Sequence, residues 1–259
     1  MIDLPDSSTF AALLSERRFW PAVAIAAAAG AARGFSGFGS SLIYIPLISM
    51  LYEPKAAAAS VILIDVFTGV PYGIRAFPKS EWRNVAPLTA AALLALPLGT
   101  YLLLAVDPVW LRWFICFFVL FAVPILASGW RYHGKPRLPI TVGVGIVAGI
   151  ASGVAQIAGP PVALYWLGGA LKAPVARANM FVFFAVLGVA SCINYFVEGL
   201  YTKEVLALVI LLGIPFTLFF LTGVLSFRRA SEEIYRWICY GVIAFAGVVS
   251  LPVFDRFFR

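Results

Sequence analysis

Long apolar blocks separated by short polar loops dominate this chain. Val85–Val106, Val109–Trp130, Pro174–Val197, Val205–Phe227 and Ile234–Phe254 are continuous runs of Ala, Leu, Val and Phe, and Ala56–Ile74 is another. A helical crossing of a bilayer needs about 20 such residues. Within the blocks, polar and apolar positions do not alternate, so the pattern predicts helices rather than barrel strands. The expected fold class is all-α, a polytopic helical membrane protein.

Two stretches break this pattern. Residues 33–46 read RGFSGFGSSLIYIP, and residues 149–161 read GIASGVAQIAGPP. The first lies within an apolar region from about Phe19 to Leu51. As one straight helix that region would reach about 50 Å, against a hydrocarbon core of about 30 Å. It is therefore a helical hairpin or a broken helix with a non-helical middle.

The two breaks are related by an offset. Shifting the chain by 119 positions places Gly30 on Gly149, Gly34 on Gly153, Ala59 on Ala178, Ser60 on Asn179 and Gly69 on Gly188. Pro97 meets Pro215 at a shift of 118, and RWFIC at Arg112–Cys116 echoes RWIC at Arg236–Cys239. This predicts two tandem repeats, residues 1–135 and residues 136–259, with the boundary in Arg131–Pro139. Each repeat would hold one interrupted region and three transmembrane helices. If the interrupted region crosses once, the repeats are parallel; if it returns, they are inverted. Totals of loop Lys and Arg merely swap sides between the two forms. The returning form gathers Arg75/Lys79/Arg83, Arg131/Lys135/Arg137 and Arg228/Arg229/Arg236 on one side, which favours inverted repeats with both termini outside. Arg17 and Arg18, flanking the first run, pull the other way.

Composition narrows the partners. Hydrophobic residues make up 62% of the chain and charged residues 12%, with a mean hydropathy of +0.96. A soluble domain has about twice that charged fraction. The lipid bilayer is therefore the first partner, and a multi-pass place in the cytoplasmic (inner) membrane is expected. The net charge of +7 sits in short loops, where the preference for basic residues on the cytoplasmic side explains it, so nucleic acid is not a partner. Cys116, Cys192 and Cys239 lie in apolar runs without CxxC spacing and read as inert thiols. No cleavable signal peptide and no soluble domain are expected.

The breaks carry the candidate chemistry. Non-helical backbone at membrane depth persists only where protein buries it or it lines a polar cavity. Helix ends meeting there present N–H groups and a positive dipole, which suits an anion. The candidate substrate-binding residues are Arg33, Ser36, Gly37, Gly39, Ser40, Ser41, Ser60, Gln156, Gly159 and Asn179. Glycine permits close approach, the serines and Gln156 donate hydrogen bonds, and a guanidinium fork matches two anion oxygens. Gly159-Pro160-Pro161 forces the second break. Asp65, near the middle of Ala56–Ile74, is the candidate for proton coupling or for pairing with Arg33. Some residues have plainer readings. Gly30, Gly145 and Gly149 fit small-xxx-small helix packing. Ser60 and Asn179 fit interhelical hydrogen bonds as well as a site. Arg75 and Arg177 fit snorkelling toward span ends.

The glycine-rich break followed by SSLIYIPLISMLYEPKAAAAS, its echo in the second half, and the number of spans resemble the sulfite exporter TauE/SafE family of membrane transporters. The likeness runs along essentially the whole chain, and its motifs are the glycines, Pro46 and the alanine-rich Lys55–Ser60. The second half departs from it in having Gln156 and a double proline. The resemblance implies a secondary transporter for a small inorganic or organic anion, sulfite or a short organosulfonate, with export as the expected direction and no cofactor. A passive anion channel is the alternative. Gly34-Phe35-Ser36-Gly37 also matches the GxSG motif of rhomboid proteases, but His133, the one histidine, lies in a charged loop, so an enzyme is not expected. No metal-ligand set is visible. A homodimer is compatible with the sequence.

Overall fold

A computed structural model describes residues 4–36, 39–128, 137–167, 171, 173–226, 244–245, 248 and 251–254. Among them are ten α-helices and no strand. In chain order they are α1 (Ser7–Ser15), α2 (Phe19–Ser36), α3 (Ser40–Leu51), α4 (Pro54–Ala76), α5 (Trp82–Ala105), α6 (Pro108–Ala127), α7 (Leu138–Ala155), α8 (Gly159–Leu167), α9 (Ala173–Val197) and α10 (Lys203–Ser226). Five of the described helices are long and apolar enough to cross a membrane: α4, α5, α7, α9 and α10. The expected spans at Val85–Val106, Val109–Trp130, Pro174–Val197 and Val205–Phe227 correspond to α5, α6, α9 and α10. Most of Ile234–Phe254 lies outside the described residues, as do Trp130, His133, Cys239 and the basic residues at 131, 135, 228, 229 and 236.

Helix starts follow local chemistry. The Asp6 carboxylate accepts from Thr9 N at 2.8 Å and caps α1, and Asp107 accepts from Val109 N at 2.8 Å and caps α6. Proline occupies the first turn of α4, α6 and α7, where its missing N–H costs nothing. The short helix α1 has no counterpart among the elements expected from the sequence.

Both interrupted regions are hairpins. Arg18, just before α2, donates to the carbonyl of Leu51, the last residue of α3, at 3.1 Å. Its guanidinium also lies 4.5 Å from the centre of the Tyr52 ring and pairs with Glu16 at 2.7 Å. The entry to α2 and the exit from α3 are therefore neighbours, and α3 returns along α2. In the second region a hydrogen bond joins Thr141, in the first turns of α7, to Tyr165, near the end of α8. That chain turns back at residues 156–158.

Small residues let the hairpins lie close to long helices. A Cβ on Gly30 or Gly34 of α2 would sit 2.2 or 2.0 Å from the carbonyl oxygens of Phe216 and Phe220 on α10. A Cβ on Gly145, Gly149 or Gly153 of α7 would sit 2.5, 2.2 or 2.4 Å from those of Leu88, Ala92 and Leu96 on α5. Backbone-to-backbone packing of this kind needs glycine. The first hairpin thus lies along α10, and the second along α5. Helices α4 and α9 pack on each other between them, with Gly73 against Ala185 and Tyr72 stacked on Phe181. The apolar interior falls into two clusters, one chiefly of α2, α3, α4 and α10, the other of α5, α7, α8 and α9.

Candidate functional site

The tips of the two hairpins line one cavity of about 40 Å³, together with the middle of α4 and α9. One water needs roughly 10–15 Å³ on this measure, so the space suits a few waters or one compact oxyanion. The first tip contributes Arg33, Gly39, Ser40 and Ser41, and the second contributes Ser152, Gln156 and Gly159. Asp65 and Gly69 come from α4, and Phe184 and Gly188 from α9.

Each tip supplies hydrogen-bond donors in its own way. At the first, Gly39 adopts φ +99°, a conformation that glycine tolerates, and starts α3 without any side-chain cap. The N-terminus of α3, at Ser40 and Ser41, therefore faces the cavity with its positive dipole end. At the second tip, α8 opens on Gly159-Pro160-Pro161, and two prolines remove two N–H groups from its first turn. Gln156 compensates. Its Nε2 is buried without a hydrogen-bond partner, while its Oε1 accepts from Ser152 Oγ at 3.0 Å. The Tyr195 phenol lies beside this amide and donates to Gly153 O at 2.7 Å.

The backbone of Gln156 is strained. It is the one described non-glycine residue with positive φ, at +55°. A non-glycine residue there costs on the order of 1–3 kcal/mol and persists where surrounding structure enforces it. The enforcing contacts are Gln156 N to Ser152 O at 2.8 Å and Ile157 N to Ala151 O at 3.2 Å. These bonds also consume carbonyls at the end of α7 that would otherwise turn negative charge toward the cavity.

An ion pair crosses the site. Arg33 Nε lies 3.5 Å from Asp65 Oδ1, with side chains only 7% and 13% exposed. Ser40 Oγ donates to Asp65 Oδ2 at 3.1 Å. The Arg33 guanidinium also lies 5.5 Å from the centre of the Phe184 ring. Removing one member of a buried pair typically costs about 3–5 kcal/mol, so each holds the other in place.

Of the residues singled out in the sequence, Arg33, Gly39, Ser40, Ser41, Asp65, Gln156 and Gly159 come together around this space. Ser36 ends α2, and Gly37 lies outside the described residues. Ser60 and Asn179 stand apart from the lining. The Ser60 hydroxyl is 3.0 Å from the Tyr44 hydroxyl, and Asn179 Oδ1 accepts from Glu81 N at 2.8 Å at the start of α5. Both are fully buried between helices. Ser152, Gly69, Phe184 and Gly188 were not singled out as site residues, yet the offset of 119 contained the signal. It carries Arg33 to Ser152, Gly39 to Ala158, Ser40 to Gly159, Asp65 to Phe184, Val66 to Ala185 and Gly69 to Gly188, and every one of these lines the cavity.

Comparison with known proteins gives one result. A family model described as sulfite exporter TauE/SafE matches residues 22–250, a range that takes in both hairpins and the cavity. No curated protein and no solved structure matches the chain.

Proposed function

The chain belongs to the sulfite exporter TauE/SafE family, a family of membrane transporters, and from that premise we propose that it carries a compact sulfur oxyanion, sulfite first, through the cavity between its hairpin tips. The observation that carries this reading is the convergence of Arg33, the N-terminus of α3 and the unpartnered Gln156 Nε2 around one small cavity. These are donors of three kinds lining one cavity, and an oxyanion is a ligand that accepts from all of them. The small volume favours sulfite over longer organosulfonates.

The two hairpins enter from opposite ends of the bundle, as follows from tracing the helices between them. The end that holds Arg18 and Leu51 starts α4. Helix α4 leads from that end to the start of α5, and α7 runs parallel to α5, with Gly145, Gly149 and Gly153 against Leu88, Ala92 and Leu96, so Thr141 and Tyr165 lie at the other end. Together with the offset that maps the cavity lining onto itself, this supports inverted repeats at 1–135 and 136–259. Alternating access then comes from one repeat rocking against the other about the central site. The end that carries Arg75, Lys79 and Arg83 is cytoplasmic in this reading, the membrane is the cytoplasmic one, and the direction is export.

Purified protein should be stabilised against heat by sulfite in preference to sulfate, taurine, chloride and acetate, and proteoliposomes should exchange labelled sulfite. Absence of both effects would rule out sulfite as the substrate. Ionic current far above carrier turnover would establish a channel instead.

A further inference from the structure

We propose that Asp65 is a built-in competitor for Arg33, and that each substrate anion occupies the cavity together with a proton that neutralises this carboxylate. The proposal rests on the anion-transport reading above and adds its coupling. Asp65 already takes the two donors that an incoming oxyanion would seek. Its Oδ1 faces Arg33 Nε at 3.5 Å, and its Oδ2 accepts from Ser40 Oγ at 3.1 Å. Arg33, Ser40 and Asp65 all line the same cavity. Substrate and carboxylate therefore compete for one set of groups.

Charge balance decides the competition. Arg33 is the only cation, and Asp65 the only anion, among the described residues lining the cavity. Among the described residues, the elements packed around Asp65 add no second charge to the cavity lining. Helix α3 presents Ser40 and, further along, Tyr44, which is bonded to Ser60. Helix α9 presents Phe184, with Cys192 about two turns further along the helix. Helix α7 presents Ser152 and Gln156, and the charged residues of α10 are Lys203 and Glu204 in its first turn. An anion entering beside an ionised Asp65 would leave a net negative charge in a buried space. A proton on Asp65 leaves Arg33 and a monoanion such as hydrogensulfite as a neutral pair. Asp65 Oδ1 pairs with Arg33 without accepting a hydrogen bond, so a proton there breaks none once the guanidinium turns to the anion. That proton comes from water on the side to which the site opens and leaves with the anion on the other side. No bond to the substrate forms or breaks.

The test is the affinity of purified protein for sulfite, measured by calorimetry across neutral pH in wild type and in Asp65→Asn. Sulfite changes its own protonation identically for both, so the difference belongs to the protein. Wild type should lose up to about tenfold more affinity per pH unit than the variant, the slope of one proton per anion. Parallel profiles would overturn the proposal, because the proton would then ride on sulfite alone. If Asp65→Asn does not fold, Ser40→Ala decides. It removes a hydroxyl that holds the charged carboxylate, so binding should persist to higher pH. An unmoved profile would overturn the proposal. Silence of the wild-type protein toward sulfite would overturn the transport reading itself, and this proposal with it.

Discussion

Arg18 donates to the carbonyl of Leu51 at 3.1 Å. One residue precedes α2 and the other ends α3, so this contact closes the open end of the first hairpin. It brings together both ends of an apolar region of more than thirty residues (Phe19–Leu51), so we expect both on one side of the bilayer. Cysteines introduced at Arg17 and Glu53, in a background lacking the native cysteines, should react with an impermeant maleimide from the same side. A cysteine at Lys79, beyond α4, should react from the opposite side. Labelling of positions 17 and 53 from opposite sides would mean that the region crosses the membrane.

Within α7, two glycines separate packing from propensity. A Cβ on Gly149 would lie 2.2 Å from Ala92 O, whereas one on Gly143 would meet nothing within 4 Å. Gly149→Ala should lower the thermal midpoint, since overpacking against backbone costs about 1–3 kcal/mol or more. Gly143→Ala should leave it unchanged or raise it, because alanine is the better helix former by roughly 0.5–1 kcal/mol. Equal behaviour of the two variants in a detergent melting assay would contradict the close approach of α5 and α7.

Much of this packing was legible because it depends on local spacing. Gly30, Gly145 and Gly149 declared themselves as small-xxx-small positions, and each faces a carbonyl on another helix. The two breaks were legible from length and glycine content. The pairing of Arg33 with Asp65 was one of two options for a carboxylate in mid-span, since a charge at that depth needs a partner. The return of the chain was favoured by the clustering of basic residues but not fixed by it, because their totals over the loops fit either direction. Only contacts between distant positions, Arg18 with Leu51 and Thr141 with Tyr165, decide it. Phe184 was hidden for a different reason. A phenylalanine in an apolar run carries no local sign that an arginine will sit against its ring.

Gln156 combines a strained backbone with a buried, unpartnered amide. The two properties predict opposite effects of one substitution. Gln156→Gly relieves the left-handed backbone, so stability should hold or rise by about 1 kcal/mol. It also removes the amide donor, so sulfite affinity should fall by at least tenfold, the loss expected for a hydrogen bond to a charged group. Melting temperature and calorimetric affinity, read on the same preparation, check both arms. Retained affinity would remove Gln156 from the site.

Gly69 controls where the Arg33 guanidinium can rest. A Cβ at this position would lie 3.3 Å from Arg33 Nη2, and among the described residues no other group outside its own helix backbone comes within 4 Å of it. The neighbour is the far end of a flexible side chain, so the fold should absorb Gly69→Ala by moving the guanidinium a few tenths of an ångström. Charge-assisted hydrogen bonds are directional, and a bidentate fork loses strength when displaced. Sulfite affinity should therefore drop severalfold, with the melting temperature held or slightly raised by the gain in helix propensity. Gly213→Ala is the matched control. Its Cβ would meet Ile64 Cγ1 at an ordinary 3.8 Å, away from the guanidinium. If the two variants bind sulfite equally well, the position of Arg33 does not set affinity, and the anion is held chiefly by the α3 N-terminus and Gln156.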